Sequence, residues 1–266
     1  MKEEKESSPS SLFHYTTLNS LKCILPSDTK DDINGELFMD FRFSHPMQCN
    51  DPMEIKLFTD SLYTGSDESN QLMEKVENKG KEIGEPFIFS LIRHKRKIMS
   101  NCPLTEIPMW NMYGNNDEGV RLRLDYKTLK THCKKNGVLL FPCEYLNNER
   151  MRQETQKIRE KFHNRNYADD MEYENVYKQY VKYKTLNWNY EYEFRMALWT
   201  NNYQIENDKK YCHFKVPLSC LKAIQISPFA NYDKRKEEVV NLIKTTNDLG
   251  YKEQINVEQS KILIRH

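Results

Sequence analysis

The stretch LFHYTTLNSLKCIL, Leu12–Leu25, changes its hydrophobic period partway along. Leu12-Phe-His-Tyr15 reads as a short strand. Thr16 or Thr17 then offers a hydroxyl oxygen to the unpaired N–H groups of a first helical turn. Beyond it Leu18, Leu21, Ile24 and Leu25 recur on one helical face. A strand that runs straight into an amphipathic helix sets the grammar for the rest of the chain.

Working outward, Leu37–Phe43 (LFMDFRF) is bulky and bounded by turn formers, which predicts a strand. Phe87-Ile-Phe89 predicts another, buried one. Val120–Leu124 (VRLRL) alternates strictly, so it reads as a half-exposed strand. Further strands are expected at Val138–Tyr145, Phe194–Trp199, His213–Val216, Ala223–Ile226 and Ile262–Ile264. Asn50-Asp51-Pro52 predicts a helix start, since Asn or Asp caps and Pro is tolerated in the first turn. Pro108 predicts the start of a short helix through Met109, Trp110 and Tyr113, and Asp233–Leu249 an amphipathic helix ended by Gly250. Strands and helices mix without regular βαβ alternation. The expected class is α+β, a mixed, mostly antiparallel (split) sheet with flanking helices. Met1–Ser11 reads as a disordered tail and residues 12–266 as a single domain. Inside it, the segment at about 147–183 has dense charge and no Gly or Pro, which predicts an exposed helical insertion.

Composition narrows the function. The 40 Lys and Arg against 39 Asp and Glu leave a net charge of +1, so no bulk field recruits nucleic acid or an acidic membrane. Seven cysteines, an odd number with no C-x-x-C pair, disfavour a disulfide framework and a zinc ribbon, and fit a reducing, cytoplasmic setting. No leader-like apolar run opens the sequence, and none approaches the roughly 18 apolar residues of a membrane span. P-loop, GxGxxG, GxSxG and HExxH patterns are missing, and no spacing suits a metal site.

Four constellations remain. His14-Tyr15-Thr16 ends a strand, where side chains face clefts, although a packed structural His explains it as well. Asn50-Asp51-Pro52-x-Glu54 is explained by a helix N-terminus with acidic residues on its dipole, a site-supporting role for Asn50, Asp51 and Glu54. Met109-Trp110-x-x-Tyr113-Gly114, followed by Glu118-Gly119-Val120, puts Trp110 and Tyr113 on one helix face, either an aromatic wall for a flat ring or plain core. Trp188-x-x-Glu191-x-Glu193-x-Arg195 puts two carboxylates and a guanidinium on one face of an extended chain. That arrangement is costly unless the charges are paired or used.

Taken in order, these motifs resemble a bacterial family known as domain of unknown function 2971, with a His/Tyr strand, Asn-Asp-Pro-x-Glu, Met-Trp-x-x-Tyr and Trp-x-x-Glu-x-Glu-x-Arg, over roughly residues 12–230. More distantly, Phe13-His14-Tyr15-Thr16 and its following helix resemble the opening of NAD-using ADP-ribosyltransferase toxin and effector domains. That resemblance implies NAD as substrate. It implies His14, with Tyr15 and Thr16, on the adenine-side ribose, Trp110 or Tyr113 stacked on nicotinamide, and Arg42 or Arg195 at the diphosphate. It implies Glu193 as the catalytic carboxylate on the nicotinamide ribose, with Glu191 as its partner in a Glu-x-Glu pattern. The acceptor, protein or nucleic acid, is not implied. Two other readings stand beside it. One is a nucleic-acid-binding or nucleic-acid-cleaving phage-defence effector, drawing on Arg93–Lys97. The other is a non-enzymatic protein-interaction domain.

Overall fold

The computed structural model describes residues 8–26, 32–33, 36–49, 53–93, 103–115, 118–163, 170–251 and 253–260. The fold is α+β with a mixed, mostly antiparallel sheet. The chain divides into two compact units, the first built from residues 1–41, 90–136 and 214–266, the second from residues 42–89 and 137–213.

In the first unit β1 (Ser11–Thr17) runs into α1 (Leu18–Ile24), where the Thr17 side chain accepts from the Ser20 N–H. Strands β4 (Glu85–Ile92), β1, β5 (Gly119–Asp125), β12 (Leu221–Ile226) and β13 (Asn256–Gln259) lie in that order. All these pairs are antiparallel except β12 with β13. β2 (Asp32–Ile33) pairs with β3 (Glu36–Ser44). Helices α4 (Pro103–Tyr113), α5 (Tyr126–Lys135) and α8 (Tyr232–Asp248) complete the unit; Asp125 caps α5 and Asn231 caps α8. The side chains of Leu12, Leu21, Leu122, Leu129, Ile224 and Val239 are wholly enclosed.

Three expectations change here. β5 is not half-exposed, because Arg121 on its polar face is buried among Tyr15, Glu106 and Trp110. The Trp110 helix starts at Pro103 rather than Pro108, which lies inside it. A first-turn proline costs nothing because its missing N–H would be unpaired anyway, so Pro103 is the better start. The last described strand is β13, and Ile262–Ile264 lies outside the described residues.

In the second unit β10 (Gln204–Glu206), β11 (Lys209–Pro217), β3 and β4 lie in order, and β9 (Glu193–Thr200) pairs with β4 and with β6 (Leu139–Pro142). β7 (Glu144–Leu146) and β8 (Tyr183–Thr185) form a separate parallel pair. α2 (Met53–Leu62) and α3 (Asp67–Ile83) precede β4. α3 ends at Gly84 with φ 100°, where a Cβ would stand 2.4 Å from the Thr200 carbonyl carbon, so only glycine fits.

The charged segment forms α6 (Asn148–His163) and α7 (Asp170–Gln179). Its faces differ. Lys157, Glu160 and Met171 face solvent, whereas Met151, Tyr173 and Val176 join Tyr180 and Tyr183 around Phe58, Leu62, Leu72 and Val76. Phe58 stacks on Tyr183 with centroids 5.4 Å apart. The segment thus supplies part of a hydrophobic core, and its polar surface conceals this in the sequence. Met151→Ala should therefore cost about 2–5 kcal/mol in urea unfolding, the usual loss for emptying a buried Met site. Met171→Ala, at a position 66% exposed, should leave the midpoint unchanged.

Candidate functional site

Two buried polar clusters, one in each unit, hold Tyr15 and Trp110 in the first and Glu191, Glu193 and Arg195 in the second. In the first, strand alternation sends His14 and Tyr15 to opposite faces of β1. On the Tyr15 face, Tyr15, Arg121 and Gln225 are register partners on β1, β5 and β12, and Gln225 is in turn the partner of Glu258 on β13. The Arg121 guanidinium donates to the Tyr15 hydroxyl at 2.5 Å, to Gln225 Oε1 at 2.8 Å and to Glu106 Oε2 at 3.2 Å. Its centre also lies 4.9–5.5 Å from the ring centroids of Phe13, Tyr15 and Trp110. Burial pushes the Glu106 carboxyl above its ordinary value, with Arg121 opposing, and pushes Tyr15 up to about 12.

Trp110 is fully enclosed and meets Tyr15 edge-on at 4.8 Å. Its six-membered ring rests on Gly114 and Gly119, where an added Cβ would come within 3.0 Å and 2.9 Å of Cε3. The spacing Trp-x-x-x-Gly and the later Glu-Gly are thereby explained by packing. Trp110 is core, with no face left to stack on a substrate ring. Tyr113 is half-buried at the end of α4, and Thr16 is buried on β1.

His14, partly buried on the other face, donates from Nδ1 to the Ser90 carbonyl at 3.0 Å and stacks near Phe41. Burial lowers its pKa from 6.5 to about 4, against the opposing pull of the Ser90 carbonyl.

The second cluster surrounds β9. A 3-10 segment, Leu186–Glu191, leads through Tyr192 in the left-handed region (φ 47°) into the strand. Glu191 is therefore not on an extended chain with Glu193, contrary to the sequence expectation. Lys184 on β8 brings the two together, its Nζ donating to Glu191 Oε2 at 2.6 Å and Glu193 Oε2 at 2.9 Å. Arg195 donates to both Glu193 oxygens, at 2.9 and 3.2 Å, and to the Val181 carbonyl at 2.8 Å. The Glu193 N–H donates to the Tyr145 hydroxyl at 2.8 Å. Lys184, Glu191, Glu193 and Arg195 are all buried, and their four charges sum to zero. Lys184 opens the stretch 184–195 that resembles the family's Trp-x-x-Glu-x-Glu-x-Arg strand, but the motif gave it no role. Its signal was a Lys seven residues before the first Glu, which no spacing rule selects.

Arg42, also in this unit, takes no part in the quartet. It pairs with Glu206 at 3.0 Å and covers the Tyr211 ring at 3.8 Å, half exposed. Asn50 and Asp51 lie outside the described residues, Glu54 is on α2, and all of the Arg93–Lys97 run except Arg93 is outside them too. Among the described residues no group of three or more His, Cys, Asp or Glu is placed to hold a metal, and no helix is long and apolar enough to cross a membrane.

Beside the quartet, a cleft of about 670 Å³ opens between the segments Leu146–Glu149 and Thr185–Trp188. Asn147 caps α6 at its edge, accepting from the Arg150 N–H at 2.8 Å. The Trp188 ring joins cleft to quartet, its centroid 5.0 Å from Lys184 Nζ.

Removing one charge of the quartet should be far worse than removing two of opposite sign. Glu193→Gln leaves a buried cation excess, and its urea midpoint should fall by the equivalent of about 3–5 kcal/mol. The double change Lys184→Met with Glu191→Gln leaves Glu193 paired to Arg195, and should cost clearly less. An acid test addresses His14. Between pH 6.5 and about 4 the unfolded chain binds a proton that folded His14 refuses, so stability is full above 6.5 and drains away as pH falls through that window. His14→Gln should lose less stability than wild type between pH 7 and 4.5. A residual slope from His45, whose pKa burial also lowers, should survive the change.

The model of the family described as "Protein of unknown function (DUF2971)" matches residues 109–196. No curated protein matches the sequence. Among solved structures, Thermus sp. 2.9 DarT in complex with NAD+ aligns with TM-score 0.35 and 11% identity over 95% of this chain and 97% of that one. The same protein in complex with ADP-ribosylated ssDNA aligns with TM-score 0.37 and 11% identity over 96% of each chain. From the helix that carries Trp110 to the strand that carries Arg195, this chain is thus similar to the DUF2971 family.

Proposed function

We propose that this protein is an NAD-using effector of the ADP-ribosyltransferase type, with the Glu191–Lys184–Glu193–Arg195 group as the electrostatic centre of its reaction. The supporting observation is the quartet itself. Four charges enclosed together stabilise a fold no better than apolar residues of the same volume, and often less well. Their presence at the Glu-x-Glu position of the resemblance therefore favours a role in chemistry over one in stability. Breaking the nicotinamide–ribose bond builds positive charge at C1′, and a carboxylate already oriented by fixed cations needs no reorganisation to meet it. In the reaction C1′ gains a bond to the acceptor oxygen or nitrogen. The bond to nicotinamide breaks with its electron pair going to the ring nitrogen, and the acceptor's proton leaves. Glu193 is the carboxylate that the resemblance assigns to the ribose, and Glu191, shared through Lys184, sets its position and charge; both are enclosed, so the sugar meets Glu193 only when this cluster opens. Trp110 has no open face, so the role of stacking on nicotinamide does not fall to it.

The test is nicotinamide release from NAD by the purified full chain. Glu193→Asp keeps the charge balance and withdraws the carboxylate by one carbon. It should stay folded by circular dichroism and lose about 100-fold in turnover, the scale of a misplacement near 1 Å. No nicotinamide from wild type with any acceptor, or an unchanged rate in folded Glu193→Asp, overturns the reading.

A further inference from the structure

We propose that the cleft between Leu146–Glu149 and Thr185–Trp188 is a nucleobase site, selective for guanine, and that it presents the acceptor of the transfer proposed above. Trp188 provides an aromatic ring and Leu146 and Leu186 provide apolar surface, the composition that holds a flat heterocycle. Asn148, Glu149 and Asn187 make no side-chain hydrogen bond or ion pair among the described residues. A cleft with one stacking ring and three uncommitted hydrogen-bonding side chains is equipped to read the edge of a base.

Charge decides which part of a nucleotide enters. No Lys or Arg lines the cleft, while the Glu149 carboxylate does, so a phosphate is repelled and stays in solvent. The first-turn amides of α6 offer no anion site either, since Asn147 already caps them and Glu149 sits in that turn. Glu149 is acceptor-only when ionised, and its two oxygens match two adjacent N–H donors. Guanine presents such a pair at N1 and N2. Thymine and uracil offer one ring N–H, and adenine an acceptor in that place. The two Asn amides donate and accept, which suits the remaining guanine edge.

The connection to the reaction runs through Trp188, whose ring stands 5.0 Å from the ammonium that holds Glu191 and Glu193. A guanine nitrogen bonds to C1′ of the nicotinamide ribose while nicotinamide leaves with the electron pair of its own bond, and the proton of that nitrogen passes to Glu149 and on to water.

The cleft can be tested without NAD. Guanosine, which carries no phosphate, should bind the full chain in calorimetry, more tightly than adenosine, thymidine or cytidine, and inorganic phosphate should not bind. Trp188→Ala should weaken guanosine about 10-fold or more, the loss typical of one base–aromatic stack. Glu149→Gln, on the exposed first turn of α6, should bring guanosine down to the affinity of adenosine, with the fold checked by circular dichroism. Equal affinity for all nucleosides, no guanosine binding, or binding unchanged in both variants overturns the proposal. So does binding of free nicotinamide that Trp188→Ala abolishes, because the cleft would then belong to the leaving group. The cleft assignment rests on the transferase reading for its role, and the two fail separately. Guanosine binding without any nicotinamide release sinks the transferase and keeps the base site. Nicotinamide release without guanosine binding does the reverse.

Discussion

The Glu193 carboxylate is the point on which the second unit's polar interior turns. Arg195, two residues along the same strand, holds both of its oxygens; Lys184 reaches it from β8; and Tyr145 on β7 takes the hydrogen bond of its backbone N–H. Four short segments are tied together this way, β7, β8, the 3-10 segment and β9. β7 and β8 have three residues each and form a sheet of their own, too small to be stable alone. Ion pairing specifies how these segments meet without requiring a net gain in stability. The same pairing sets the charge rule, since any single loss leaves an enclosed charge without its counter-ion.

The first unit solves a similar problem differently. Arg121 is enclosed on the sheet face, and its donors are shared among Tyr15, Gln225 and Glu106 while three aromatic rings surround it. The row Tyr15, Arg121, Gln225, Glu258 crosses four neighbouring strands, so one polar ladder fixes their register together. A slip of one residue in β5 would turn Arg121 to the opposite face and bring Leu122 into the polar row. Trp110, seated on Gly114 and Gly119, closes this face with α4.

These clusters explain why some residues were legible and others were not. Strand alternation and capping residues are local, so β1, α1, β5 and α8 could be read directly, and Thr17 was one of two caps anticipated for α1. Glu191, Glu193 and Arg195 were legible as a costly set of charges, because electrostatics penalises them in any buried arrangement. Lys184 was not, because its role depends on a parallel pairing of β7 and β8 that no periodicity announces. Arg121 looked solvent-facing for the same reason. Alternation says which side of a strand a residue takes, and only the packing of α4 says what waits there. The charged segment at 147–183 misled in the other direction, because Met151 from α6 and Tyr173 and Val176 from α7 suffice to join a core and leave the overall composition polar.

What the sequence determined by itself was therefore the local: the α+β class, the main strands and helices, and the short motifs themselves. What only the tertiary structure decided was which of those residues are enclosed and what each of them meets. Trp110 passed from substrate wall to core, Trp188 from a motif's edge to the lining of a cleft, and Lys184 from a position with no role to the link between two carboxylates. The reason is physical. Propensity, capping and periodicity act over neighbouring residues, whereas burial and ion pairing depend on what distant segments bring, and both can reverse the meaning of a side chain without changing its place in the sequence.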